Sequence, residues 1–187
     1  IPHKQVVMVV FAFATIMILL SGFREVGIDY DSANYASAYR DYEIAEGVDV
    51  SFLIISSFLH LFSDDAHAIF LFYALLGVSL KLFAIKRLSH SYLVPLMVYL
   101  CYYEMHECMQ IRSGILGGLY LLAIPYIAKG EKRIALMLLL LGSFFHISGL
   151  VLLPILFFGN KEFDKKSKAI WCLVIPFSYI VHFVGLH

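Results

Sequence analysis

An all-α, polytopic membrane helical bundle is the fold class that this sequence predicts, on three observations. First, 61% of the 187 residues are hydrophobic, the mean hydropathy is +0.83 and only 15% are charged, a balance well outside that of soluble domains. Second, the apolar residues fall in long runs. A helix crossing about 30 Å of hydrocarbon needs roughly 20 of them, so the chain has room for about six or seven spanning or half-spanning segments. Third, the polar residues are concentrated: residues 23–50, FREVGIDYDSANYASAYRDYEIAEGVDV, hold seven of the fourteen acidic residues, two arginines and four tyrosines but no lysine. The expectation is one transmembrane domain over residues 1–187, with an outward-facing loop at about 23–50 and re-entrant or broken helices where the apolar runs are too short to cross.

Residues 5–22 form the first expected span, behind His3 and Lys4. The run at 50–62, VSFLIISSFLHLF, reaches only about 20 Å as a helix. It carries Ser56, Ser57 and His60 on one side, which suits an interfacial or re-entrant helix. Ser63, Asp64 and Asp65 then supply N-terminal capping groups for a full span over 66–85. Residues 92–103 return, and 112–128 cross again. Residues 134–158 are basic at both ends, so one straight span would put the lysines that follow on the wrong side. A broken hairpin resolves this, with its tip at 142–149, GSFFHISG. Such non-helical backbone is tolerable at depth only when buried in protein or lining a wet cavity, and His146 then faces that cavity. A last span at 169–185 carries Pro176 and His182.

Charge placement sets the orientation, because lysine and arginine in short loops stay on the cytoplasmic side. Eleven of the fourteen basic residues fall on one side if loop 23–50 faces out: Lys4, Lys81, Lys86, Arg87, Lys129, Lys132, Arg133 and the four lysines of 161–168. The exceptions are all arginine, namely Arg24, Arg40 and Arg112. A net charge of zero points away from nucleic acid, whose partners are strongly basic. Cys101, Cys108 and Cys172 lack metal-ligand spacing and are expected to pack rather than to form disulfides or hold zinc. The chain opens on Ile1 and stops at His187 without a polar tail, so a piece of a longer protein is expected.

Three places could carry chemistry. In Arg24-Glu25-Val26-Gly27-Ile28-Asp29-Tyr30-Asp31, just past the first span, Asp29 and Asp31 are two residues apart and share one side of an extended stretch, offering a general base or a metal pair. Solvated loop acids are the plain alternative. Tyr30, Tyr35, Tyr39 and Tyr42 nearby suit sugar faces, although tyrosine also anchors membrane interfaces. The second place is Arg112, which opens a span on the outward side. Its planar fork matches phosphate oxygens in two places at once, as lysine cannot; the alternative is an ion pair with Glu104, Glu107 or a loop acid. The third is His146 at the hairpin tip, where the competing reading is a hydrogen-bonded core histidine. His60, His67, His90 and His182 are assigned interfacial or packing roles.

Taken in order, Arg24, Gly27, Asp29 and Tyr35, then Ile111, Arg112 and Ser113, then Phe145, His146 and Ser148 resemble the EpsG-like family within the wider Wzy-type group of bacterial polysaccharide polymerases. The likeness covers roughly residues 11–154. One departure is Ser113, where the family commonly has glutamine after the helix-start arginine. The resemblance implies a GT-C-like fold with an acidic residue just after the first span, here Asp29. It also implies an enzyme, a membrane glycosyltransferase that joins undecaprenyl-diphosphate-linked oligosaccharide repeats in exopolysaccharide, capsule or O-antigen synthesis. It would work at the outer face of the bacterial inner membrane, with the N-terminus cytoplasmic.

On that reading Arg24 and Arg112 hold the donor's diphosphate, with Asp31 and Tyr35 as further substrate-binding residues. Asp29 deprotonates the acceptor hydroxyl, with His146 as the competing base. No cofactor is implied, and a divalent cation bridging Asp29, Asp31 and the diphosphate is compatible but not required. The partners are the lipid-linked glycan, the bilayer and a chain-length regulator. Other readings of the same residues are a ligase or a flippase for the same carrier, an acyltransferase resting on His146, or a structural membrane subunit.

Overall fold

The computed structural model describes residues 3–157 apart from Glu46 and His90. The expected span at 169–185, the lysines of 161–168 and Cys172 lie outside the described residues. Within them the chain is all helical: α1 (His3–Gly22), α2 (Tyr30–Arg40), α3 (Val50–Leu59), α4 (His67–Leu88), α5 (Leu93–Tyr103), a π-turn (Glu104–Met109), α6 (Ile111–Lys129), α7 (Lys132–Phe145) and a 3-10 helix (Ile147–Phe157). Two of these, α4 and α6, are long and apolar enough to cross a membrane, with mean hydropathies of 2.2 and 1.4. The shorter apolar stretches are Met8–Gly22, Val50–Leu59 and Ile147–Leu156.

The frame is α4 against α6, running parallel. Lys81 on α4 meets Gly114 on α6, Leu80 lies over Gly118, and further along Arg87 bonds the Tyr126 hydroxyl. Gly114 and Gly118 form a small-xxx-small pair, the device that lets helix backbones approach where lipid supplies no hydrophobic drive. A Cβ at Gly118 would stand 2.7 Å from that of Leu80. Helix α7 returns antiparallel to α6, with Gly142 against Leu116 at one end and Ala135 packed with Ala123 at the other. Helix α1 is likewise antiparallel to α4, its final Gly22 sitting over Leu71. One end of the bundle therefore gathers the C-termini of α1 and α7 and the N-termini of α4 and α6. Lys86, Arg87, Lys129, Lys132 and Arg133 lie at the opposite end.

The polar segment builds two short helices over the first end. Asp29, in extended conformation, caps α2 by accepting from the Ser32 amide at 2.6 Å, the usual role of an aspartate there. Ser32, Ala36 and Tyr39 form the buried stripe of α2, at the spacing of one helix face. Ala36 and Tyr39 join Phe52 of α3 and Ile69, Phe70, Tyr73, Ile111, Ile115 and Leu119 in the main core. Just before α4, Asp65 accepts from the His67 amide at 2.9 Å.

A histidine clasp fastens α2 to the turn after α3. The His60 ring stacks on Tyr39 with centroids 4.3 Å apart. Its Nε2 lies 2.8 Å from the Tyr39 carbonyl oxygen and its Nδ1 2.9 Å from Asp64. Both neighbours are acceptors, so only the imidazolium can donate to both. The Tyr39 carbonyl, and after it Asp64, therefore raises the His60 pKa above its ordinary 6.5. A folded value above the unfolded one means that the stabilisation is complete below about pH 6.5 and is lost as pH rises through the raised value. Thermal unfolding should thus show wild-type stability falling across that window, while His60→Gln stays flat.

The break expected in 134–158 is present. Helix α7 ends at Phe145, and His146 is extended with φ −152° and ψ 119°. The 3-10 helix then folds back along α7, placing Leu152, Leu153, Ile155 and Leu156 beside Ala135 and Leu139. One expectation is corrected. Lys81 is not a loop charge on the basic end of the chain: it is buried within α4 and paired with Glu107. The lysine–glutamate attraction within the packed bundle, rather than membrane topology, explains its place.

Candidate active site

The residue at the centre of the site is Asp49, which the sequence reading did not single out. It stands at the N-cap position of α3, yet its side chain makes no capping bond. The carboxylate turns across to two remote segments instead. Arg112 Nη1, in the first turn of α6, donates to Asp49 Oδ2 at 2.6 Å. His146 Nδ1, at the break after α7, lies 3.2 Å from the same oxygen, and the Ile147 amide donates to Oδ1 at 3.2 Å. The side chains of Asp49 and Arg112 are 13% and 16% exposed, deep enough for the pair to be poorly screened yet still open to a ligand.

Tyr35 completes the cluster from α2, with the Arg112 guanidinium 5.5 Å from its ring centre. Burial pushes the Tyr35 hydroxyl above its ordinary 10, while Arg112 pulls the other way, so the phenol serves as a neutral donor at physiological pH. A cavity of about 530 Å³ opens beside it, lined by Asp31, Asn34, Tyr35, Ser37, Asp41 and Arg112 among others. Thus Arg112, Tyr35 and Asp31, three of the expected substrate-binding residues, share one cavity, and His146 is joined to it through Asp49.

Arg24 and Asp29 lie elsewhere. Arg24 donates to the Ser21 carbonyl at 2.7 Å, sits 3.9 Å above the Phe70 ring and lies 3.7 Å from Asp29. Burial pulls its pKa below the ordinary 12.5, opposed by Cys108 and then Asp29. The two line a separate cavity of about 300 Å³ with Ile28, Tyr103, Glu104 and Cys108. Asp29 is occupied at Oδ1 by the α2 cap.

The arrangement has a definite chemical capacity. A carboxylate bonded to His146 Nδ1 fixes the tautomer that leaves Nε2 as the basic nitrogen, as the orienting aspartate does in hydrolase triads. Arg112 beside it can stabilise negative charge on an oxygen that develops in the cavity. Among the described residues no group of three or more His, Cys, Asp or Glu converges as a metal site would.

Why sequence reasoning passed over Asp49 is clear from its position. An aspartate directly before an apolar helix reads as a cap, and only the unmade capping bond betrays another use.

Fold and site together describe a helical membrane protein with a polar cavity and a buried-charge cluster at one end of its bundle. The chain belongs to the EpsG family, whose model matches residues 7–186. That places it among the membrane proteins of polysaccharide biosynthesis, with a polymerase-like role. No curated protein and no solved structure matches it.

Proposed function

We propose that the chain is a membrane glycosyltransferase that joins undecaprenyl-diphosphate-linked oligosaccharide repeats, with the α2 side of the bundle at the outer face of the bacterial inner membrane. The observation that carries the reading is the Asp49 hub, which brings Arg112 and His146 together beside the cavity lined by Tyr35 and Asp31. The orientation is supported by the loop lysines and arginines at the opposite end of the bundle.

In this mechanism the acceptor sugar hydroxyl gives its proton to His146 Nε2 and attacks the anomeric carbon of the donor. The bond from that carbon to the diphosphate oxygen breaks, and the negative charge gathering on the diphosphate is stabilised by Arg112. Asp49 keeps the imidazole oriented. The geometry favours His146 over Asp29 as base, because Asp29 is engaged in the α2 cap. Arg24 and Asp29 would then bind a more distant part of the substrate. No nucleotide is needed, since the lipid diphosphate is already an activated leaving group, and a chain-length regulator remains the partner to seek in cells.

Polymerisation of purified lipid-linked repeats, read as chain length on a gel, tests this. Arg112→Lys is expected to lower the rate about 10²- to 10³-fold, the usual effect of removing one oriented charge-stabilising donor. His146→Gln is expected to lose about 10²- to 10⁴-fold, as for a general base. Asp29→Asn is expected to act mainly on stability. If Arg112→Lys and His146→Gln both build full-length polymer at normal protein level, the mechanism is wrong; if instead Asp29→Asn alone is inactive, Asp29 is the base.

A further inference from the structure

A second charge cluster lies buried beneath the site and takes no part in the chemistry above. Lys81 in α4 and Glu107 in the π-turn are 5% and 1% exposed and form a direct ion pair. Lys81 Nζ also donates to the Gly114 carbonyl of α6 at 2.8 Å, and the Tyr99 hydroxyl of α5 donates to Glu107 Oε1 at 3.0 Å. The Ser21 hydroxyl, at the end of α1, donates to the Glu107 carbonyl. Glu107 of the π-turn therefore ties α1, α4 and α5 together, and Lys81 extends the tie to α6. The space is fitted to it: a Cβ on Gly77 would collide with Glu107 Oε2, and one on Gly114 with the His106 carbonyl oxygen.

As an anchor alone this is a poor choice. Buried ion pairs gain little over apolar packing once desolvation is counted, and ionisable groups inside membrane bundles are expensive. What the pair can supply is direction. The π-turn closes where the Gln110 amide donates to the Met105 carbonyl at 2.8 Å, and α6 starts at the next residue. Arg112 is the second residue of that helix, so the place where Glu107 is held sets the heading of the turn that carries Arg112. Single π-turns between α-helical segments are frequent at functional sites.

We propose that Lys81 and Glu107 are positioning residues for the Arg112–Asp49–His146 cluster. Their bearing on catalysis rests on the function proposed above, but the coupling itself can be read without substrate. The Ile147 amide donates to Asp49 Oδ1, so its hydrogen exchange reports the cluster directly from the other side of the site.

The experiment uses the full chain in nanodiscs and two variants, Glu107→Gln and the charge-free Lys81→Met/Glu107→Gln. Each is followed by amide exchange, by melting temperature and by binding of geranylgeranyl diphosphate as a probe. Glu107→Gln is expected to speed exchange across 104–116 and at Ile147, and to weaken probe binding about tenfold, a typical coupling between linked sites. The charge-free variant is expected to melt within a few degrees of wild type, because no unpaired charge is left, yet to keep the fast Ile147 exchange.

Wild-type protection at Ile147 in both variants would overturn the proposal, reducing the pair to a local fastener of the π-turn. So would loss of folding in the charge-free variant, which would make the pair a folding element. If the wild-type chain fails to bind the probe while the exchange coupling holds, the diphosphate reading fails and the positioning role stands.

Discussion

Asp49→Ala is expected to abolish polymer formation and to lower the stability of the chain by about 3 kcal/mol, the usual range for removing one partner of a buried ion pair. The size follows from what Asp49 holds. Its two oxygens take the Arg112 guanidinium, the His146 ring and the Ile147 amide, and Arg112 Nε already has no partner in its buried position. Alanine would strand the arginine and free the histidine tautomer together. Asp49→Asn keeps the shape and one acceptor, so its stability loss should be nearer about 1–2 kcal/mol, while the rate still falls because the amide no longer balances an imidazolium. Thermal unfolding in detergent and polymer length on a gel read the two effects. A wild-type melting temperature and wild-type polymer in Asp49→Ala would remove this cluster from the mechanism.

Gly114→Ala is expected to destabilise the protein by about 3 kcal/mol, at the upper end for overpacking. The atom its methyl would meet is the His106 carbonyl oxygen, part of the π-turn backbone, with Glu107 Oε2 next at 3.3 Å. Neither can retreat, because the carboxylate is pinned by Lys81 and Tyr99. Gly117, one turn along the same helix, is the control: a Cβ there would find only Lys81 Cε at 3.8 Å, an ordinary contact. Gly117→Ala should therefore be neutral or stabilise by up to about 1 kcal/mol through helix propensity. Denaturation of the two variants side by side should give opposite signs, and equal losses would show that helix approach at Gly114 is looser than the structure has it.

The expected elements and the observed ones agree where a single segment carries its own signal. The spans expected at 66–85 and 112–128 are α4 and α6 within a few residues, because long apolar runs ending in lysine, arginine or glycine leave few choices. The break at His146 was legible for a related reason, since 25 apolar residues flanked by basic groups cannot run straight and keep both flanks on one side. Helix α2 lies inside the stretch expected as an outward loop, and begins at its Asp29 cap.

Other features had no local mark. The π-turn has no periodicity of its own and arises where Glu107 must meet Lys81, twenty-six residues earlier. Lys81 read as one more cytoplasmic charge because Lys86 and Arg87 follow it closely; its partner lies in another helix. Arg112 was expected to bind phosphate or to pair with an acid, and the structure supplies the acid, Asp49, sixty-three residues away.

Hydropathy and charge placement along the chain are enough to read a helical, membrane-type protein, the course of its long apolar helices and the residues at its polar end, because they act over a few neighbouring residues, and the ordered motifs around Arg24, Arg112 and His146 add the EpsG resemblance. Which of those residues meet is settled in three dimensions alone. Asp49 meets Arg112 and His146 while Asp29 lies beside Arg24, because ion pairing is a contact in space, and nothing in a local stretch of chain records which carboxylate a distant arginine and histidine will reach.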